Sequence, residues 1–290
     1  MAYEKFIPQL WSETINRELE RVCVFVEDCN RQYEGTVSKK GDTVHILGIG
    51  KPTIHTLERA NASGEIAGAE ELDDNSMALK VDQIRYFNYK VGDIDKAQAV
   101  GGLMDALSAE TAEALANELD KYVANFVLDA GDETENRAAV LKLNGNTPVK
   151  VTKDNVLSML DDAIQMLQEN DVNVNAGNVV VTVSPRFYKL FKQAHIDKHT
   201  DNSGELKNGK VAMYGNVTVK LSNNVCKTDD GATDNIMIRT KRAIAFVNPL
   251  THTEAYRPEK SFADAVKGYE LFAGKVVRPK EIININVKYA

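Results

Sequence analysis

From Leu103 to Asp129 the chain reads as one uninterrupted helix, and no other stretch limits its fold more. The helical pattern begins near Lys96, where Asp93 or Asp95 can act as N-cap, and Gly131 supplies the stop. At ~1.5 Å rise per residue, the 27 residues from Leu103 to Asp129 reach roughly 40 Å, far beyond the usual ~11–12-residue helix. A helix of that length crosses a whole domain. Its apolar residues Leu103, Leu107, Leu115, Leu119, Val123 and Val127 fall four or eight positions apart, and each step of four overshoots a turn by about 40°. From Leu103 to Val127 the stripe therefore rotates by roughly 240°, so the two ends bury different faces against different elements. That is the pattern of a spine rather than of a bundle helix. The same stretch carries Asp105, Glu110, Glu113, Glu118, Asp120 and Asp129 against one base, Lys121, a run read as a solvated face.

Less regular segments flank the spine. Trp11, Ile15, Leu19, Val22 and Val26 recur at helical spacing, which gives either a helix lying on the chain's own core or an arm docked on another subunit. Between Gly35 and Asp93 short alternating runs, Val44 with Ile46 and Phe87 with Tyr89 and Val91, read as strands. Glu58 to Met77 between them holds too little apolar surface to pack, and an isolated two-stranded hairpin is marginal in water. The segment either leans on a neighbouring chain or forms a flexible surface insertion. After the Asn144–Pro148 turn, Thr152 or Asp154 can cap a helix carrying Val156, Met159, Leu160, Ala163, Ile164 and Leu167. Val179–Val183 is a buried strand by its β-branched composition, and Ser184-Pro185 then opens another helix. Later alternation predicts strands at Val217–Leu221, around Ile236, around Ile244, near Val276, and at Ile282–Val287.

Several function classes are disfavoured. With 35 Lys+Arg against 42 Asp+Glu the net charge is −7, and no dense basic run supplies the phosphate neutralisation that duplex DNA requires. At 43% hydrophobic and 27% charged the chain is an ordinary folded protein, long enough for about two domains. Its apolar runs fall far short of the ~20 residues of a membrane helix, and Met1–Phe6 lacks the pattern of a secretory signal, so the cytosol is the expected place of synthesis and residence. Cys23, Cys29 and Cys226, without metal spacing, read as buried thiols.

Catalytic motifs fail on inspection. His195 and His199 share the four-residue spacing of helical zinc sites, but Ile196 occupies the place of the general-base Glu. Gly48–Thr53 resembles a phosphate loop, yet His45 stands in for the first Gly and Pro52 follows Lys51. Ser184 has strand-to-helix placement, but Thr182 and Arg186 occupy the positions where a nucleophile elbow needs Gly. No catalytic, cofactor-binding or metal residue is assigned, and a non-enzyme is expected.

The order of parts carries more information than any motif. Phe6-Ile7-Pro8-Gln9-Leu10-Trp11 is followed by Asn30–Gly35 leading to Gly41–Val44. Asp93–Ala99 then precedes the spine, Val183–Tyr188 lies in the middle, and Val276–Pro279 near the end. In this order over nearly the whole chain, the sequence resembles the major capsid (coat) protein family of tailed bacteriophages, whose fold is shared by herpesvirus capsid floors and encapsulin shells.

The resemblance implies an α+β chain: residues 1–34 an N-terminal arm, 35–93 an extended β-hairpin loop, and 94–150 the spine helix with the first part of a peripheral domain. It further implies an axial domain at 151–230, a return through the peripheral domain at 231–278, and a C-terminal axial strand at 279–290. The implied function is a shell of pentamers and hexamers enclosing double-stranded DNA without sequence-specific binding. The implied places are the virion capsid and, during assembly, the bacterial host cytoplasm. Because the chain opens on the arm, a separate scaffolding protein is expected, with portal and decoration proteins as further partners and no membrane. Two rival readings are an encapsulin-type compartment and, from another class, a metal-dependent hydrolase using His195 and His199. If the spine's acids line the cavity, they would repel packaged DNA.

Overall fold

The computed structural model describes residues 23–33, 43–49, 54, 74–92, 103–128, 138–145, 147–197, 206–207, 210–211, 213–228, 231–260 and 262–289. In chain order its strands are β1 (Thr43–Ile49), β2 (Asp74–Lys80), β3 (Gln83–Gly92), β4 (Leu141–Lys142), β5 (Val149–Val151), β6 (Val179–Val183) and β7 (Leu206–Lys207). They continue with β8 (Lys210–Val211), β9 (Met213–Tyr214), β10 (Val217–Leu221), β11 (Thr233–Thr240), β12 (Ile244–Tyr256), β13 (Ala263–Val276) and β14 (Ile282–Tyr289). The α-helices are α1 (Leu103–Ala124), α2 (Val156–Glu169) and α3 (Pro185–Asp197).

A seven-stranded sheet runs β4-β14-β11-β6-β10-β9, with β5 also paired to β14. Its middle strands, β6 and β11, are buried along their whole length, as the unbroken apolar run Val179–Val183 predicts. Strand β11 falls within 231–278, yet it is hydrogen-bonded between β6 and β14 and so belongs to this sheet. Helices α2 and α3 follow β5 and β6, and Val156, Leu160, Leu167, Phe187 and Phe191 join the same apolar core. Another helical position in α2, Ile164, is only half-buried against that core.

A three-stranded antiparallel sheet, β12-β13-β3, forms the second layer. Pairing of Phe87 with Gly268 and Tyr89 with Val266 places β3 here, outside the hairpin. The hairpin consists instead of β1 and β2, with Thr43 opposite Lys80 and Ile49 opposite Asp74. Asp74–Met77, expected in the loop, thus belong to a strand.

Alternation along β12 and β13 explains how the root of this sheet is covered. Phe246, Phe272 and Val276 point into the main core, where Tyr122 of α1 meets both Phe272 and Phe126, the latter just past the helix end. Gly274 allows that approach, because a Cβ there would lie 2.9 Å from the Phe126 ring. Ala245, Val247, Leu271 and Ala273 face the other way and pack with Val44, Ile46, Leu79 and Val81. The hairpin base therefore leans on the chain's own sheet, while residues 58–73, expected to lean on a neighbouring chain or to form a surface insertion, lie outside the described residues. Apolar alternation in β1 and β2 was short but sufficient once a prepared surface was available.

The spine is shorter than its pattern suggested at the C-terminal side. Helix α1 has 22 residues, then tightens into a 3-10 turn, Asn125–Val127, and Leu128 is extended. Val123 and Val127 are fully buried in the core, whereas Leu107 is half-buried beside β3. The two ends do meet different elements. The pattern Trp11 to Val22 lies outside the described residues.

Candidate functional site

For a chain without a catalytic motif, the informative site is the junction where the N-terminal segment, α1 and both sheets meet. Residues 23–30 enter the core as a tight turn with a 3-10 segment, Val26–Asp28, and Phe25 and Val26 are buried. Such a turn leaves backbone N–H groups without partners of its own. Asp120 of α1 supplies them: Oδ2 accepts from Val24 N at 2.8 Å, and Oδ1 accepts from Phe25 N at 3.0 Å and Val26 N at 3.2 Å. Burial raises the carboxyl's pKa, and the three backbone donors pull against that rise. Reading the acid run as wholly solvated was therefore incorrect at Asp120. Its position four residues after Ala116 and four before Ala124, both buried, was the available signal.

Arg239, 1% exposed near the end of β11, holds the carbonyls of the same turn. Its Nη1 donates to Asp28 O at 2.8 Å and its Nη2 to Phe25 O. On the rim, Lys220 of β10 pairs with Glu27 at 2.6 Å and with the buried Asp28 at 2.7 Å. Asn30 N then donates to Ile244 O at 2.8 Å, and Phe246 N to Asn30 O at 3.0 Å, so the segment joins the edge of β12. This short stretch ties α1, the seven-stranded sheet and the three-stranded sheet together. No local sequence signal marked Arg239, because its partners are more than 200 residues away.

Glu270 of β13 lies on the α1 side of the three-stranded sheet, 1% exposed, with Asn248 of β12 donating to one carboxylate oxygen. Burial pushes its pKa up to about 7, against smaller opposing contributions from Asn248 and the Arg31 charge. Burial likewise pushes the Cys23 thiol up to about 12. Cys23, Cys29 and Cys226 are buried free cysteines, and burial raises the Cys29 thiol as well.

The residues weighed for chemistry are dispersed. Ser184 is buried, its Oγ donates to Tyr289 Oη at 2.8 Å, and Tyr289 donates in turn to Asp234 at 2.7 Å. The same Oγ accepts from Phe187 N at 3.3 Å as the N-cap of α3, so it is committed to structure. Gly48 and Ile49 end β1, and Lys51 lies outside the described residues. His195 is within α3, but its side chain and the whole of His199 lie outside the described residues. Among the described residues no group of His, Cys, Asp and Glu could hold a metal ion. No helix there is long and apolar enough to cross a membrane.

Beyond the junction, the outer part of the three-stranded sheet is open. Tyr86 is 80% and Tyr269 38% exposed, they are directly opposite in register, and His252 lies tilted beside Tyr269 with ring centroids 5.6 Å apart. On the other face, Arg85 and Tyr89 of β3 and Leu107, Ala114 and Leu115 of α1 line an open groove of about 500 Å³. A junction, a hairpin seated by its base and an uncovered sheet suit a subunit that completes its surfaces with copies of itself.

The sequence model described as phage capsid protein matches residues 80–285. The chain belongs to the phage capsid protein family. This capsid protein is similar to a solved structure from Mycobacterium phage Che8, at 27% identity over 90% of each chain with a TM-score of 0.70. The capsid structure of the cyanophage P-SCSP1u shares its fold at 15% identity, covering 92% of this chain and 88% of that one, with a TM-score of 0.70. A virus-like particle from Pyrococcus furiosus shares it at 12% identity over 98% and 100% of the two chains, with a TM-score of 0.59. No curated protein sequence matches. The chain is a major capsid protein with the α+β fold of tailed-phage capsids, and its place is the virion capsid. That assignment favours the phage capsid over the cellular compartment.

Proposed function

We propose that this capsid protein assembles as pentamers and hexamers of an icosahedral shell around double-stranded DNA, in the host cytoplasm, and performs no catalysis and needs no cofactor. A separate scaffolding protein, a portal protein and decoration proteins are its proposed partners. Packaged DNA would be contained without sequence-specific contacts. Residues 1–34 serve as the arm, with 23–30 as its anchor, and 35–82 as the extended loop, since β3 is part of the three-stranded sheet. That sheet and α1 form the peripheral unit, and the seven-stranded sheet, including β11, forms the axial unit.

The observation that carries this reading is the open face bearing Tyr86, Tyr269 and His252 on a sheet only three strands wide. Exposed aromatic rows on a narrow sheet leave apolar area for a partner to bury, and several modest interfaces per subunit let a shell correct errors while it grows. Glu110 and Glu113 are exposed on α1, while Glu118 pairs with Lys121 at 3.0 Å, so the acid face is partly neutralised. If that face lines the cavity, Glu110 and Glu113 would keep DNA from adhering.

Negative-stain microscopy with light scattering on the purified full chain, alone and co-expressed with a candidate scaffolding protein, tests the proposal. Closed shells or rings of five and six are expected. A monomer under both conditions would overturn it. Nucleic acid inside the particles, rather than cargo protein, separates the phage shell from a cellular compartment.

A further inference from the structure

The two edges of the seven-stranded sheet carry opposite charge. Strands β5 and β14 run parallel at one side of the sheet, and their carboxyl ends meet the start of α3 on an open crevice of about 540 Å³. Crevices at the carboxyl ends of parallel strands are the usual place for a ligand in α/β layers. Lys153, Arg186, Lys189 and Tyr289 line this one. Arg186 and Lys189 are three apart on α3 and share a face, and the Arg186 guanidinium sits 5.8 Å from the centre of the Tyr289 ring. Neither forms an ion pair among the described residues. Asp234 is close, but it is buried and holds the Tyr289 hydroxyl.

The β9 side of the sheet, where Phe191 of α3 meets Tyr214 with ring centroids 5.8 Å apart, is acidic. Tyr214 of β9 donates to Asp161 of α2 at 2.9 Å, and Asn216 donates to Asn175 at 3.0 Å, which fixes the second half of α2 and the turn after it at this edge. Asp161, Asp162, Glu169 and Asp171 are exposed there. None forms an ion pair among the described residues.

Two of these placements oppose the helix dipoles. Arg186 stands in the first turn of α3, which has no acid there, and Glu169 ends α2, which has no base in its last turn. Isolated stability would favour the reverse, so the arrangement is explained better by a partner than by the fold. Among the described residues no ion pair joins the two flanks within the chain. They can meet head to tail between copies, and a head-to-tail contact is the kind that closes into a ring.

We propose that the Arg186–Lys189 crevice of one copy receives the acidic α2 flank, Asp162 and Glu169 foremost, of the next copy around the ring of axial units. This rests on the capsid reading above. Each copy offers one basic and one acidic flank, so every contact is satisfied whether the ring has five members or six. Charge pairing at a rim tolerates the change of angle between those rings better than interlocked apolar packing does, and it weakens with salt.

A charge swap tests this. Reversing one flank with Arg186→Glu and Lys189→Glu, or the other with Asp162→Lys and Glu169→Lys, leaves like charges facing, and the affinity between subunits should fall by roughly a hundredfold. Combining all four substitutions in one chain restores opposite flanks and should return assembly to within about threefold of wild type, since two to three charge pairs are exchanged rather than lost. Assembly is read by sedimentation and microscopy, and a cooperative thermal transition checks that each variant is folded. If the single-flank variants assemble as wild type does, or if the combined variant is folded but fails to assemble, the docking is overturned while the capsid reading stands. If wild type itself forms no rings or shells, the capsid reading fails first. Inorganic polyphosphate is the second probe. Binding that depends on Arg186 and Lys189, together with a combined variant that stays monomeric, would make the crevice a polyanion site and overturn docking between copies.

Discussion

In the seven-stranded sheet β6 and β11 are buried from end to end, whereas in the three-stranded sheet β3 alternates between half-buried and exposed positions. Two buried glutamates show the same contrast. Glu281, just before β14, is met by Arg242 at 2.9 Å and Arg278 at 3.1 Å and accepts from Thr240, and although burial opposes it these partners hold its pKa below the ordinary value. Glu270 in β13 has Asn248 and the Arg31 charge, and burial wins. The seven-stranded sheet is internally complete. The three-stranded sheet is covered by α1, the hairpin base and residues 23–30, and its outer end remains open. A shell subunit needs both kinds of region: one that holds its shape and one that leaves surface for neighbours.

The sharpest way to break that comparison is to cut the junction that joins the regions. In Asp120→Ala the N–H groups of Val24, Phe25 and Val26 lose their acceptor inside the protein. At ~1–3 kcal/mol for each buried unsatisfied donor, and with partial relaxation, the loss should be about 3–5 kcal/mol. Urea denaturation followed by circular dichroism checks it. A loss below about 1 kcal/mol would mean that residues 23–30 contribute little to holding the sheets together.

Glu270 gives the next largest effect, and its sign is opposite to that of Glu281. With a folded pKa of about 7 against 4.5 when unfolded, Glu270 binds more protons in the folded state between those values. Its contribution is therefore favourable at acid pH and is lost as pH rises through about 7. Glu281, with its pKa lowered, contributes above the unfolded value and loses that contribution as pH falls. Glu270→Gln should stabilise the protein at pH ~8 by about 2–3 kcal/mol and change little at pH ~5. Melting temperatures of both proteins across that range are the measurement, and parallel curves would show that Glu270 is not the group responsible.

Legibility in the sequence follows the same divide. Val179–Val183, α2 and the tail strand could be read directly, because a strand buried on both faces or a helix with one apolar stripe carries its environment in its own residues. Strand β3 was assigned to the hairpin because its alternation says that one face is covered but not by what. Its true partner, β13, lies about 180 residues later. The split coverage of β12 and β13, with Phe246 and Phe272 toward α1 and Ala245 and Ala273 toward the hairpin, is visible only once the sheet exists. Asp120 and Arg239 were missed for a related reason. A charge that serves the backbone of a distant turn looks in sequence like any other surface charge, and only its register with buried alanines distinguishes Asp120.

Steric tests at two glycines of β13 sharpen the difference between the covered root and the open end. At Gly274 a Cβ would meet Phe126 at 2.9 Å and Tyr122 at 3.3 Å, side chains locked between α1 and the sheet. At Gly268 it would meet the half-buried Phe87 ring at 2.5 Å and the His252 carbonyl at 2.9 Å. Gly274→Ala should cost about 1–3 kcal/mol by overpacking. Gly268→Ala should cost less if Phe87, which lines the open groove beside α1, can swing aside, although the backbone carbonyl cannot. Equal losses in thermal denaturation would indicate that the outer sheet is as tightly packed as its root.

The smallest effect on stability should come with the largest effect on assembly. Tyr86 and Tyr269 face each other across β3 and β13 on the open face, and Tyr86 is 80% exposed. Removing an exposed ring takes little from the folded monomer, so Tyr86→Ser with Tyr269→Ser should change unfolding free energy by no more than about 0.5–1 kcal/mol. A buried aromatic anchor at an interface commonly contributes ~2 kcal/mol or more, so two of them lost at every subunit contact should reduce shell yield steeply. Sedimentation of the double variant beside a surface control such as Lys90→Ser separates these outcomes, because Lys90 lies in the same strand and is exposed without an aromatic ring. If the double variant assembles like the control, subunits meet elsewhere, and the open face of the three-stranded sheet is simply a solvated surface. If the control also fails, the strand acts through its charge, and the aromatic row is incidental to contact between subunits.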